Sequence, residues 1–357
     1  MADTPNDSNS PNSPNGSASN TYDGLDLAAL QNHLTDSGVA VAGELTANLI
    51  SGGKSNLTFG VTDGVSSWIL RRPPTAGLTP SAHDVAREFR ITSALAGTGV
   101  PVAPTVSLCE DEAVMGAPFT VVEFVPGQVI RTRSQLDMLS DNDVDRCMAE
   151  LIEVLARLHS VDYRSCGLGE FGRPDGYVAR QVKLWTGQWE RVKAADHPDV
   201  DRLAGLLAGA IPERSASAIV HGDYRIDNTI LGTEDVGTVA AVVDWELSTL
   251  GDPLTDVALM CVYRHPAMDL VLGEPAAWTS SRLPSAEDIA HRYSVAAGRD
   301  LDHWPFYLAL ACFKLAVIAA GIDHRYRAGA TRGEGFDRAG AAVPEFVAAG
   351  LHAARGM

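Results

Sequence analysis

Apolar residues are almost missing from residues 1–22, a run of Asn, Ser, Pro and Gly. Such a segment buries too little surface to offset its ordering entropy, so the pattern predicts a disordered tail. At Leu25 the pattern changes. Leu25, Leu27, Leu30 and Leu34 recur at helical spacing and predict a first amphipathic helix. Residues 44–72 alternate as strands instead: Glu44–Ile50, a turn at 51–56, Leu57–Thr62, a tight Asp63-Gly64 turn, and Ser67–Arg71. Pro73-Pro74 ends that run. A helical pattern over 81–97 stops at Gly97 and Gly99. Strands at Thr105–Cys109 and Phe119–Phe124 follow, closed by Pro126-Gly127.

From residue 140 the period becomes helical. Helices are expected over Asp141–His159, 175–194, 199–210, 254–263, 285–297, 303–322 and 335–353. A β island interrupts them: Ile219-Val220, then a hairpin of Thr229–Leu231 and Thr238–Val243. The longest apolar run, Phe306 to Ile322, spans 17 residues and contains Lys314. That falls short of the roughly 20 apolar residues of a membrane span, so a buried helix is expected. The expected fold is α+β in two lobes. Residues 23–125 carry an antiparallel sheet with one main helix, and residues 126–357 form a larger, mainly helical lobe.

The length of 357 residues agrees, since domains average roughly 150 residues. Composition is that of a globular protein, with 45% hydrophobic and 20% charged residues, which excludes a wholly disordered or fibrous chain. The formal net charge is −17, and residues 1–53 hold six acids and no Lys or Arg. An acidic chain without a basic patch predicts no nucleic-acid partner. Five scattered cysteines with no Cys-x-x-Cys pair argue against a disulfide framework and for a reducing compartment. The N-terminus has neither a basic start nor an apolar stretch, which points to the cytoplasm and away from a membrane. The oligomeric state is left open.

The chemistry concentrates in His221-Gly-Asp-Tyr-Arg-Ile-Asp-Asn228 and in Asp244-Trp-Glu246, 16 residues beyond Asn228. A loop after a strand presents Asp223 to a substrate hydroxyl, as a catalytic base. Asn228 reaches a metal from the same loop, and the returning hairpin strand delivers Asp244 to that metal. Hard oxygen ligands of this kind suit Mg²⁺. The arrangement resembles the catalytic loop and metal-binding Asp of protein kinases. Against it stands a plain hairpin whose Asp and Asn only satisfy turns.

The rest of such a site is sought upstream. Gly52, Gly53, Lys54 and Ser55 form a turn whose glycines let backbone amides approach phosphate. A strand cation is expected at Arg71, with Arg72 as the alternative, where most kinases carry lysine; arginine retains the charge and adds a bidentate grip. Glu88 is the helix carboxylate expected to hold that cation. The segment 120–127 connects the lobes and offers the Glu123 carbonyl and Val125 amide to an adenine edge.

With these motifs and Gly251-Asp-Pro-Leu-Thr-Asp256, the chain resembles the aminoglycoside phosphotransferase and choline kinase superfamily, which has a protein-kinase-like fold. The likeness extends over about residues 25–350. Gly52-Gly-Lys-Ser-Asn-Leu-Thr58, Leu70-Arg-Arg-Pro-Pro74 and Val243 to Pro253 resemble one branch, the kinase domains fused to certain acyl-CoA dehydrogenases. The resemblance implies ATP, Mg²⁺ and transfer of the γ-phosphate to a hydroxyl of a small molecule. By position it implies Asp223 as base and Asn228 and Asp244 as metal ligands. His221 would be structural, and Asp252 and Asp256 would brace the loop. Arg225, two residues past the base, is expected to steady the γ-phosphate. A nucleotide-binding pseudokinase is the alternative. A protein kinase is disfavoured, since no Ala-Pro-Glu-like segment follows Asp244.

For the acceptor, the basic start of residues 323–338 favours a hydroxyacid or hydroxyacyl-CoA over an aminoglycoside if it faces the cleft. As a solvated helix end it would say nothing. Trp185, Trp189 and Tyr177 are either walls of an acceptor pocket or core.

Overall fold

The computed structural model describes residues 22, 24–51, 56–74, 84–330 and 335–357. The first lobe opens with α1 (Leu27–Asp36), capped by Asp26, whose carboxylate accepts the Ala29 N–H. Strands β1 (Thr46–Ser51), β2 (Leu57–Thr62) and β3 (Ser67–Arg72) follow. Then come α2 (Val85–Leu95), β4 (Thr105–Cys109), the short α3 (Glu112–Met115) and β5 (Phe119–Glu123). The strands make one antiparallel sheet of order β1-β2-β3-β5-β4.

One sheet face is buried with Leu30 and Leu34 of α1 against Phe59, Leu70, Phe119 and Val121. Alternation along β3 sends Trp68, Leu70 and Arg72 to that face and Ser67, Ile69 and Arg71 to the other. The two adjacent arginines therefore part. Arg72 is buried and donates to the carbonyls of Gly24, Met115 and Pro73, so it is a structural clamp. Tyr22, counted in the tail by composition, packs its ring 5.4 Å from that of Phe59. Its aromatic surface joins the first-lobe core despite its polar neighbours in sequence.

The second lobe contains α4 (Arg133–Asp137), α5 (Asp141–Ser160), α6 (Tyr177–Val192) and α7 (Pro198–Gly209). It continues with β6 (Ala218–Val220), β7 (Thr229–Leu231), β8 (Val239–Val242), β9 (Thr249–Gly251) and α8 (Leu254–Val262). The lobe ends with α9 (Met268–Leu272), α10 (Ala286–Ala297), α11 (Trp304–Arg327) and α12 (Ala342–Ala353). The hairpin β7–β8 is as expected. The pairing of β6 with β9 is not, because three residues are too few to show a period. Residues 335–353 divide into a 3₁₀ turn, Phe336–Ala341, and α12.

Helix α11 is long and apolar enough to cross a membrane, yet 72% of its apolar stretch is buried inside the protein. It packs on α12, α8 and α6 and forms the spine of the large core. Helix α2 stands at the boundary between lobes. Its Ile91 and Leu95 join the core of the second lobe, not that of the sheet. Arg87 reinforces this link, donating to the carbonyls of Phe171 (2.6 Å) and Ser248 (3.1 Å) while stacking over the Phe171 ring.

Candidate active site

The loop after β6 is built around buried polar contacts. Gly222 has φ +87°, and a Cβ there would come within 2.9 Å of Leu247, so glycine is required on both counts. The fully buried His221 ring bridges two segments: Nε2 donates to the Val243 carbonyl (3.0 Å) and Nδ1 accepts the Asp223 N–H (3.2 Å). Both ring nitrogens are thereby committed to structure. Asp256, in the first turn of α8, accepts the N–H groups of His221 (2.6 Å) and Gly222 (2.8 Å) and faces His159 Nε2 at 3.3 Å. Asp252 accepts from Leu254 N, Ala216 N and the Tyr307 hydroxyl. Asp256 braces the loop, as expected, whereas Asp252 ties the start of α8 to the segment before β6 and to α11.

Asp223 projects from this frame with four donors around it. Tyr263 Oη (2.5 Å) and Arg225 Nε (3.2 Å) donate to Oδ1; Asn228 Nδ2 (3.0 Å) and Arg225 Nη2 (3.3 Å) donate to Oδ2. Burial alone would raise the carboxyl pKa. Arg225, Tyr263 and Lys314 outweigh it and hold the group below the usual range. Arg225 spends its remaining reach on Asp227, at 2.8 Å. Expected to steady a phosphate, it grips the carboxylate itself here. Tyr263 escaped the sequence reading. It ends an apolar helix 40 residues downstream, with no local signal of its role.

Asn228 donates through Nδ2 to Asp223, which leaves its Oδ1 as the atom for a metal. The Val243 N–H donates to the Asn228 carbonyl at 3.0 Å, pinning Asn228 beside the segment that carries Asp244. Asp244 has φ +66°, a left-handed conformation that costs a non-glycine residue about 1 kcal/mol. That turn aims its carboxylate across the cleft at Arg71.

Arg71 is the cation of the first lobe, and Arg72 is excluded from that role. Arg71 Nη1 lies 2.9 Å from Glu88 Oε2, and Nη2 lies 2.9 Å from Asp244 Oδ1 and 3.7 Å from Glu246 Oε2. Asn56 Nδ2 donates to the other Glu88 oxygen at 3.2 Å. Three carboxylates thus share one guanidinium. Burial pushes Glu88 and Glu246 up to about 7 each, with Asp244 adding to the rise and Arg71 opposing it. Among the described residues, buried Glu246 Oε2 and Arg71 Nε have no hydrogen-bond partner. Unsatisfied buried polar atoms of both signs at one place fit a ligand with both phosphate oxygens and a cation.

Among the described residues no three His, Cys, Asp or Glu side chains cage a metal by themselves. One carboxylate and one amide match a Mg²⁺ ion that takes its other ligands from phosphate and water. Glu123 and Val125 lie at the end of β5. Glu123 N donates to the Pro104 carbonyl, while the Val125 amide has no backbone partner among the described residues. Gly52, Gly53, Lys54 and Ser55 lie outside the described residues.

Beside the loop, a pocket opens between α6, α8 and α11. Tyr177, Trp185, Gly222, Leu310 and Lys314 are among its walls. Trp189 is not: it is buried in the core with Nε1 on Asp201. Nor do the described residues of the basic stretch line the pocket. Arg325 and Arg327 are exposed at the end of α11, and Arg327 pairs with Asp323. The cation in the pocket is Lys314, the one charge in the apolar run.

A two-lobed fold with a cation–Glu pair in its sheet lobe, and an Asp–Asn loop and a second Asp in the other, is the arrangement of the kinase-like phosphotransferases, here with arginine as the cation. The sequence profile of the phosphotransferase enzyme family matches residues 46–292, and the chain belongs to that family. Human acyl-CoA dehydrogenase family member 11 is 34% identical over 313 residues, which is 86% of this chain and 40% of that protein. Mouse acyl-CoA dehydrogenase family member 10 is 37% identical over 277 residues, 76% of this chain and 26% of its own length. The chain therefore spans less than half of these relatives. A crystal structure from Ralstonia eutropha, described only by inference as an aminoglycoside phosphotransferase, superposes with TM-score 0.81 at 34% identity. That match covers 93% of this chain and 98% of the other. An aminoglycoside phosphotransferase solved with AMP-PNP and hygromycin B shares the fold, at TM-score 0.58 and 18% identity over 87% and 94% of the two chains.

Proposed function

We propose that the protein transfers the γ-phosphate of ATP to a hydroxyl of a small molecule in a Mg²⁺-dependent reaction. The observation that carries this reading is Arg71, which joins Glu88 of α2 to Asp244 of the second lobe at 2.9 Å each. A cation paired with a carboxylate at the mouth of one cleft supports this reading. Bound Mg²⁺ would neutralise charge on the phosphate oxygens, with Asn228 Oδ1 and Asp244 holding it.

Asp223 orients the acceptor hydroxyl and receives its proton. Arg71 grips phosphate oxygens, and Glu88 keeps Arg71 extended. The Glu123 carbonyl and Val125 amide receive the adenine edge. Positioning and charge neutralisation supply most of the rate in such transfers. A hydroxyacid or hydroxyacyl-CoA acceptor is favoured over an aminoglycoside. The names of the relatives and the lysine in the pocket both support that preference. A pseudokinase reading rests only on arginine in place of lysine, and the double ion pair of Arg71 speaks against it.

Calorimetric titration with AMP-PNP tests the nucleotide side. Binding is expected to require Mg²⁺ and to weaken at least about tenfold in Asp244→Asn, the loss of a charged ligand. Equal binding without Mg²⁺, or none at all, would overturn the reading.

A further inference from the structure

Lys314 is the one charged residue in the apolar run Phe306 to Ile322, on a helix that forms the spine of the core. A cation at such a site is costly unless something compensates it. Its contacts are few. Nζ donates to the Gly222 carbonyl at 2.9 Å and stands 5.5 Å from the Trp185 ring centroid. An ammonium has three donors, so this leaves two without a hydrogen bond among the described residues. The side chain keeps partial exposure, and the space it borders is the pocket.

The neighbouring carboxylates do not complete it. Asp223 is held by Tyr263, Arg225 and Asn228. Asp256, the other charged residue on the described pocket wall, is engaged by His221, Gly222 and His159. The remaining walls are mostly aromatic and aliphatic, with Tyr177, Trp185 and Leu310 among them. A cationic acceptor would meet an ammonium here and no uncommitted carboxylate. Lys314 also holds the carbonyl one residue before Asp223, so a group it binds lies close to the hydroxyl presented to Asp223.

We propose that Lys314 is the specificity-determining residue of the acceptor pocket. Its free donors bind a carboxyl-derived oxygen of the acceptor, and its charge rejects acceptors with an amine near the reacting hydroxyl. The proposal rests on the reading of Asp223 as the acceptor-facing base.

The test compares the native protein with Lys314→Met, which keeps the length and apolar stem, and with Lys314→Arg. Each is given 3- and 4-hydroxyalkanoates, the corresponding neutral alcohols, and amino alcohols. ADP release and Trp185 fluorescence are followed in parallel. The expected result is at least tenfold higher kcat/KM for the hydroxyalkanoates than for the neutral alcohols. Lys314→Met should erase this preference and Lys314→Arg should restore part of it, with Mg-AMP-PNP affinity unchanged in both. A preference that survives in Lys314→Met, or native turnover that favours amino alcohols, overturns the proposal and leaves the phosphotransferase reading intact. Hydroxyalkanoate binding by fluorescence that depends on Lys314, without turnover, supports the pocket assignment and overturns the phosphotransferase reading. Absence of both signals overturns both.

Discussion

The two sides of the cleft treat charge in opposite ways. On the nucleotide side, Glu88, Asp244 and Glu246 share Arg71, and buried polar atoms remain without hydrogen bonds. On the acceptor side, Asp223 and Asp256 are fully engaged, and the group with spare capacity is a cation, Lys314. One side is incomplete without added positive charge. The other is incomplete without an acceptor oxygen. The contrast teaches that net charge says little about a substrate: the chain carries −17 overall, yet the uncommitted charge in its pocket is positive.

The largest effect is expected for Asp223→Asn, which keeps the shape and removes the base. Acceptor-dependent turnover should fall about 10³-fold, within the range for a positioned general base. Thermal melting should fall modestly, since Tyr263, Asn228 and Arg225 lose the charged partner that they hold in the folded state. Unchanged turnover would dismiss Asp223 as the base.

Next come the adjacent arginines. Arg71→Met should cost about 100-fold in kcat/KM, the loss of one charge contact to the transition state, and should also lower stability, since Glu88, Asp244 and Glu246 lose their shared partner. Arg72→Met should instead leave three carbonyls without their donor and destabilise the fold by roughly 2–4 kcal/mol. Chemical denaturation combined with kinetics separates the two; equal behaviour would refute the assignment of faces along β3.

Gly222→Ala should cost about 1–3 kcal/mol, because the new Cβ meets Leu247 in a left-handed backbone. It should also lower kcat by displacing Asp223. The smallest effect belongs to Arg327→Ala at the exposed end of α11. Its pair with Asp323 is a surface ion pair worth under about 1 kcal/mol. Acceptor KM should not change; a marked rise would return the basic stretch to the acceptor site.

Much of this was legible in the sequence because the relevant spacings are local. The strands Leu57–Thr62 and Thr105–Cys109 fall where alternation places them. Arg71 and Glu88 meet as the motif order requires. What escaped depends on distant segments. Tyr263 reaches Asp223 only through the packing of α8, and β9 exists only because β6 lies beside it. The position of Lys314 was visible as a lone charge in an apolar run. Its partner, the Gly222 carbonyl, is 92 residues away and was not. The basic stretch after Ile322 carried the stronger compositional signal, yet its described arginines face solvent, because the helix outruns the core it covers.

The most direct test of phosphoryl transfer is ADP release from Mg-ATP against aminoglycosides, amino alcohols, hydroxyacids and hydroxyacyl-CoA esters, with Asp223→Ala as the blank. Release that depends on one acceptor class and vanishes in the variant is expected. Release that persists in Asp223→Ala, or a native protein that fails to bind Mg-ATP, would contradict it.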